Sequence, residues 1–220
     1  MIDSLQHELR ITEIFYSLQG EARSVGVPTV FIRLTGCPLR CTYCDTTYSF
    51  TGGEKFTLGH ILTEVAQHGA RYVCVTGGEP LAQPNCLLLL TALCNSGYDV
   101  SLETSGALDV SAVDPRVSKV LDLKTPDSGE SHRNLYENIR PLTIRSNLSF
   151  VVVVITIGRD LKSMSINCHS ASVMSYSHQA MSNNNRVNWR NGYSPTNSRY
   201  VYNCNYTNIC GTMNLDIKPS

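Results

Sequence analysis

The 220-residue chain lacks net charge, because 18 basic residues are matched by 18 acidic ones. That balance argues against a nucleic-acid binder relying on bulk charge and against a polybasic membrane anchor. Long apolar runs are missing too. The longest, "FVVVVITIG", is far too short to span a bilayer as a helix. The N-terminal stretch "MIDSLQHELRITEIFYSLQG" has no basic-then-apolar signal pattern, and Asp3 and Glu8 stand where an apolar core would be needed. A cytoplasmic protein with neither membrane nor nucleic acid as partner is the expectation. Cysteine is absent from the first 36 residues, and the total of nine is odd, which does not suit a secreted disulfide framework.

The length suits one domain, or one domain with an extension. β-Branched and aromatic content predicts strands over 11–17, 29–35, 71–77, 99–106, 118–124 and 148–156. "TLGHILTEVAQHG" predicts a helix with Thr57 as N-cap and Gly69 as its stop, Ile61, Leu62, Val65 and Ala66 sharing the buried face. A second helix is expected over 81–96, after Pro80. Strand and helix alternating at this spacing imply parallel strands with right-handed crossovers, whose chemistry collects at the C-terminal strand ends. The polar clusters "TGGEP", "ETSG" and "LKTPDSG" all fall there.

The composition changes near residue 143. Residues 151–220 hold eight charged residues against 28 in the first 150, together with 11 Asn and ten Ser. The expected organisation is an α/β core over 1–150 followed by an atypical polar segment over 151–220. Two readings of that segment stay open: a disordered polar tail, or a stretch translated out of frame. Its sparse charge favours the second, since disordered tails usually carry more. Cys168, Cys204 and Cys210 carry no functional weight.

Cys74, Cys86 and Cys94 sit in apolar surroundings ("YVCVTG", "NCLLLLTALC") and read as small buried hydrophobes. "GCPLRCTYCDTTYSF" differs, with Cys37, Cys41 and Cys44 among polar residues and Pro38. Three thiolates suit a 4Fe–4S cluster with one iron left open to a small molecule. A structural zinc closes a tetrahedron with four ligands, and the nearest histidine, His60, is 16 residues on; a three-cysteine catalytic zinc stays as the alternative.

The spacing Cys37-x3-Cys41-x2-Cys44, with aromatic Tyr43 before the last cysteine, resembles the radical S-adenosylmethionine superfamily. Its second signature is present at Gly77-Gly78-Glu79-Pro80. "FYSLQGEARSVGVPTVFIRLTGCPLRCTYCDTTYSF", "VTGGEP", "LETSG" and "LDLKTPDSGE" are similar to the 7-carboxy-7-deazaguanine synthase family of the queuosine pathway, over roughly residues 8 to 142. Ala22 replaces that family's usual glycine, and the likeness fades from "TIRSNLSF" onward.

The resemblance implies an abbreviated, incomplete (βα) barrel. It implies conversion of 6-carboxy-5,6,7,8-tetrahydropterin to 7-carboxy-7-deazaguanine and ammonia by a 5′-deoxyadenosyl radical, with no catalytic residue beyond the cluster and cofactor. Cys37, Cys41 and Cys44 would ligate the cluster, and Thr46, beside Asp45, a Mg2+ ion. Gly78, Glu79, Ser105 and Lys124 would meet S-adenosylmethionine, the glycine pair by letting backbone approach closely. Leu18, Gln19, Gly20, Arg33 and Thr76 would meet the pterin, with Glu21 as an extra candidate. An ordinary turn remains the simple reading of "GGEP" and of "DTT", a solvated charge that of Lys124, and an ion pair within the sheet that of Arg33. A flavodoxin- or ferredoxin-type electron donor and a homodimer are the implied partners. A glycyl-radical activase is the nearest alternative enzyme, and a zinc or iron–sulfur binding module the alternative outside catalysis.

Overall fold

The computed structural model describes residues 3–21, 24–139, 151–157, 172–180 and 200–207. In chain order the elements are β1 (Glu8–Leu18), β2 (Pro28–Leu34), β3 (Glu54–Thr57), α1 (Leu58–Gln67), β4 (Tyr72–Gly77), α2 (Cys86–Asn95), β5 (Asp99–Thr104) and β6 (Ser118–Leu123). They continue with β7 (Val151–Ile157), β8 (Ser172–Ala180) and β9 (Tyr200–Thr207). The strands form one open sheet in the order β3-β1-β2-β4-β5-β6-β7-β8-β9. Neighbours from β2 through β8 are parallel, whereas β3, β1 and β9 join antiparallel at the two ends. A mainly parallel sheet with free edges is an incomplete (βα) barrel, in agreement with the sequence.

Alternation along the strands separates two faces. Val30, Ile32 and Leu34 of β2, Val73 and Val75 of β4, Val100 and Leu102 of β5, and Leu121 and Leu123 of β6 enter one buried core. Leu58, Ile61 and Val65 of α1 and Leu89, Leu90 and Leu93 of α2 cover it. The intervening positions bear Phe31 and Arg33, Cys74 and Thr76, Ser101 and Glu103, Val120 and Asp122 on the opposite face. In β1 an irregularity between Ile11 and Glu13 resets the alternation. Ile11 pairs with Leu34 and is 2% exposed, while Glu13 pairs with Arg33 across the opposite face. A β-bulge has this effect, turning the strand after it by one position.

The local signals act as expected in α1. The Thr57 hydroxyl accepts from the His60 amide, and Gly69 adopts φ 62° just past the helix end. Two expectations are corrected. Ala66 is exposed, and Leu58 takes its place on the buried face. The helix expected over 81–96 begins at Cys86, because Pro80–Ala82 is spent on a separate 3₁₀ turn capped by Glu79. No helix joins β5 to β6; Val110, Val113 and Val117 of the connecting loop fill the core instead.

The strand expected over 148–156 is seen from 151, its first three residues lying outside the described set. No helix of the described residues is long and apolar enough to cross a membrane.

Candidate active site

Cys37, Cys41 and Cys44 lie in the loop leaving the C-terminal end of β2; all three are free thiols of intermediate exposure. Leu39, 2% exposed, anchors the loop into the interior. The Gly36 amide donates to the Ser49 carbonyl at 2.7 Å, closing the loop on itself. From the neighbouring strand end, the Glu79 amide donates to the Gly36 carbonyl at 2.8 Å and the Gly78 amide to the Leu34 carbonyl at 3.2 Å. A Cβ on Gly78 would stand 2.7 Å from the Cys37 Cβ and would overlap the Gly36 carbonyl; one on Gly77 would overlap Leu34. Here, then, the two glycines serve a contact within the protein, seating the turn after β4 against the first cysteine. The sequence had suggested a ligand in that role.

Glu79 is fully buried. Its carboxylate accepts from the Leu81 amide at 3.1 Å, from the Thr104 hydroxyl at 2.8 and 2.9 Å, and from the Ser105 amide at 2.9 Å. The Ser105 hydroxyl donates to it as well. Four donor groups around one carboxylate lock the turn after β4 to the end of β5. A ligand ammonium group would have to compete with them, so Glu79 acts first as a brace.

On the sheet face across from the helices the charges are less settled. Lys124 follows β6, and its ammonium group lies 2.6 Å from Asp122 Oδ2. Burial would lower the Lys124 pKa, but the Asp122 charge outweighs it and raises it. Asp122 Oδ1 is buried and has no hydrogen-bond partner among the described residues. Glu21 is pushed up to about 8 by burial and by the charges of Glu103, Asp122 and Asp45, with Lys124 opposing. Gln19, 3% exposed, donates to Glu103 at 3.1 Å and accepts from the Glu21 amide at 3.0 Å.

Arg33 pairs through Nε with Glu13 at 2.7 Å and stacks over Phe15 and Tyr48. Burial raises the Glu13 pKa, yet hydrogen bonds from Arg33 and Tyr48 hold it below the usual range. The acid partner that the sequence left unnamed is thus Glu13. Among the described residues the terminal guanidinium nitrogens of Arg33 make no hydrogen bond. Thr76, 7% exposed, is the register partner of Arg33 on β4. Leu18 is 58% exposed and Gly20 is exposed, whereas Ala22 lies outside the described residues.

Thr46 begins the 3₁₀ turn Thr47–Phe50 without capping it, and its hydroxyl donates to Asp45 Oδ1 at 2.7 Å. Two hard oxygen donors side by side suit Mg2+ chemistry. Among the described residues no three His, Cys, Asp or Glu side chains converge on a point that would hold a single metal ion. Each thiolate of a cubane binds a different iron, and three cysteines spread along one wrapped loop suit that group.

The comparisons agree with this geometry. Residues 31–125 match the model of the radical SAM superfamily. A 7-carboxy-7-deazaguanine synthase of Thermoplasma acidophilum is 36% identical over 144 residues, covering 64% of this chain and 69% of its own. The chain belongs to the 7-carboxy-7-deazaguanine synthase family. The synthase of Chlorobaculum tepidum is 47% identical over 135 residues, 61% of each chain, and that of Koribacter versatilis 42% identical over 146 residues. The chain spans 61% and 65% of the length of these two family members. The crystal structure of QueE from Escherichia coli shares the fold, with TM-score 0.55 and 24% identity over 70% of this chain and 87% of its own.

Sequence reasoning missed Thr104, Asp122 and Glu103. Asp122 carried a signal, being an acid inside the apolar strand "SKVLDLK" and two positions before Lys124. Thr104, between a glutamate and a serine at a strand end, carried none beyond its position.

Proposed function

We propose that the chain is a cytoplasmic enzyme that contracts 6-carboxy-5,6,7,8-tetrahydropterin to 7-carboxy-7-deazaguanine and ammonia. Membership of the family supports the substrate. The observation that carries the chemistry is the seating of Cys37 directly against the Gly78 turn, which puts three free thiols beside the Glu79 and Lys124 clusters. Cys37, Cys41 and Cys44 would hold a 4Fe–4S cluster. Together with S-adenosylmethionine, that group would supply reductive cleavage of the sulfonium and, from it, hydrogen-abstracting chemistry.

The chain's own residues bind and orient. Glu79 fixes Ser105 and the Gly78 backbone, the surface against which the methionine part would lie. Lys124 supplies positive charge for the cofactor carboxylate, and the unpartnered Asp122 oxygen is an acceptor for a ligand hydroxyl or ammonium group. Gln19, Arg33 and Thr76, with the backbone of Leu18 and Gly20, would contact the pterin; the free edge of Arg33 would pair with its carboxylate. Thr46 and Asp45 would hold Mg2+ beside that carboxylate. An electron donor of flavodoxin or ferredoxin type and a homodimer complete the reading. We take 1–150 as the radical SAM core and 151–220 as an atypical segment, on the fall in charge alone.

The test is turnover under anaerobic conditions with reductant, S-adenosylmethionine and the pterin, followed by mass spectrometry. Formation of 7-carboxy-7-deazaguanine supports the reading. Cleavage of S-adenosylmethionine without that product, despite an assembled cluster, would favour another radical enzyme.

A further inference from the structure

The loops bearing the candidate site leave β2, β5 and β6 with no more than short 3₁₀ turns, and backbone without a ladder holds its shape only where other groups satisfy it. One segment does this for all three. From Thr125 to Ile139 the chain makes three short 3₁₀ turns, at Pro126–Ser128, Ser131–Arg133 and Tyr136–Ile139. Toward the cysteine loop, Glu130 Oε1 accepts from the Arg40 amide at 2.6 Å and the Ser128 carbonyl from the Thr42 amide at 3.0 Å. Toward β6, Asn134 takes both backbone groups of Lys124, accepting from its amide at 3.0 Å and donating to its carbonyl at 2.8 Å. Toward β5, the Asn138 side chain donates through Nδ2 to the Gly106 carbonyl at 3.0 Å.

Two ionisable side chains of the segment reach the cysteine loop: Arg133 donates to the Pro38 carbonyl at 3.3 Å, and Glu130 makes the shorter contact. Its bond to Arg40 is charge-assisted, the stronger kind. Arg40 stands between Cys37 and Cys41, and its guanidinium donates back to the Cys37 and Leu39 carbonyls at 2.7 Å each. Where the Arg40 amide points therefore sets the path of the chain through both cysteines. The Glu130 backbone is itself fixed, its amide donating to Ser128 Oγ at 3.0 Å.

We propose that Glu130 is a positioning residue that holds the cysteine loop in its ligating shape, as part of a bracket, Thr125–Ile139, that ties the loops after β2, β5 and β6 together. The inference rests on the reading of Cys37, Cys41 and Cys44 as cluster ligands. Its test does not require a cluster.

The reduced, metal-free protein is alkylated with iodoacetamide without oxygen, and labelling of each cysteine is followed by mass spectrometry. Cys94, partly exposed and outside the loop, is the internal reference, and buried Cys86 reports on the fold. With Glu130→Ala, Cys37 and Cys41 are expected to label several-fold faster than in the wild type while Cys94 and Cys86 keep their rates. With Glu130→Gln, whose amide oxygen still accepts from Arg40, labelling should stay near the wild-type rate. After reconstitution the alanine variant should also bind less iron than the glutamine variant. Unchanged labelling of Cys37 and Cys41 in Glu130→Ala overturns the proposal, and so does faster labelling of Cys86, which would mean general loosening. Failure of the wild-type protein to assemble a cluster would sink the functional reading and leave the labelling result intact.

Discussion

The two sides of the candidate site differ in how completely they are satisfied. Around Glu79 everything is paired: one carboxylate, wholly buried, meets donors from Leu81, Thr104 and Ser105. Around Lys124 the pairing is unfinished: one Asp122 oxygen has no partner among the described residues, and Glu21 is pushed up to about 8 by burial and by its acidic neighbours. A protein tolerates such a deficit where a ligand completes it, and on that ground the proposed function assigns the first side to framework and the second to the ligand. Substitutions on the framework side should cost stability, and those on the other side should cost binding.

The largest effect is expected from Glu79→Ala. It would leave buried donors of Leu81, Thr104 and Ser105 unsatisfied, at about 1–3 kcal/mol for each that water cannot reach. Chemical denaturation should show a loss of several kcal/mol; a loss below about 1 kcal/mol would mean that the node is no brace. Gly78→Ala comes next. Its Cβ must displace Gly36 or Cys37, at about 1–3 kcal/mol for an overpacked site, and iron uptake on reconstitution should fall with the melting temperature.

Lys124→Met should invert that pattern. The substitution takes the counter-ion from Asp122, which is 34% exposed and so within reach of water; the stability loss should be smaller than in Glu79→Ala, while affinity for S-adenosylmethionine drops at least tenfold in calorimetry. Equal losses of stability in Lys124→Met and Glu79→Ala would erase the distinction.

A further effect concerns pH. Glu21 is raised in the folded protein to about 8, so between the ordinary carboxylate range and that value the folded state binds more protons than the unfolded one. Its contribution is complete below the unfolded pKa and is lost as pH rises through the folded pKa. Urea midpoints should therefore fall with rising pH across this window in the wild type, and Glu21→Gln should remove that slope. A slope unchanged in the variant would place its origin elsewhere.

How much of this was legible in the sequence depended on the range of the interaction that decides it. Thr57 and Gly69 mark their helix because a cap is made within three residues. The cysteine spacing and the "GGEP" turn are likewise local. β3 went unread because "EKFT" has no apolar alternation and is held as a strand by pairing with Glu8–Ile11, more than forty residues away. Arg33 was visible as a candidate, but the bulge that brings Glu13 opposite it was not. Thr104, Glu130 and Asn134 owe their places to partners in other segments. Each is an ordinary polar residue, Thr104 at a strand end and the other two in a loop, until the strands assemble.

The most direct measurement is metal analysis with absorption and electron paramagnetic resonance spectra after anaerobic reconstitution, on the wild type and on Cys41→Ala. The account predicts about four irons per wild-type chain, a brown protein whose reduced spectrum shifts on adding S-adenosylmethionine, and loss of that signal in Cys41→Ala. A colourless protein carrying one zinc, or an undiminished cluster in Cys41→Ala, would contradict it.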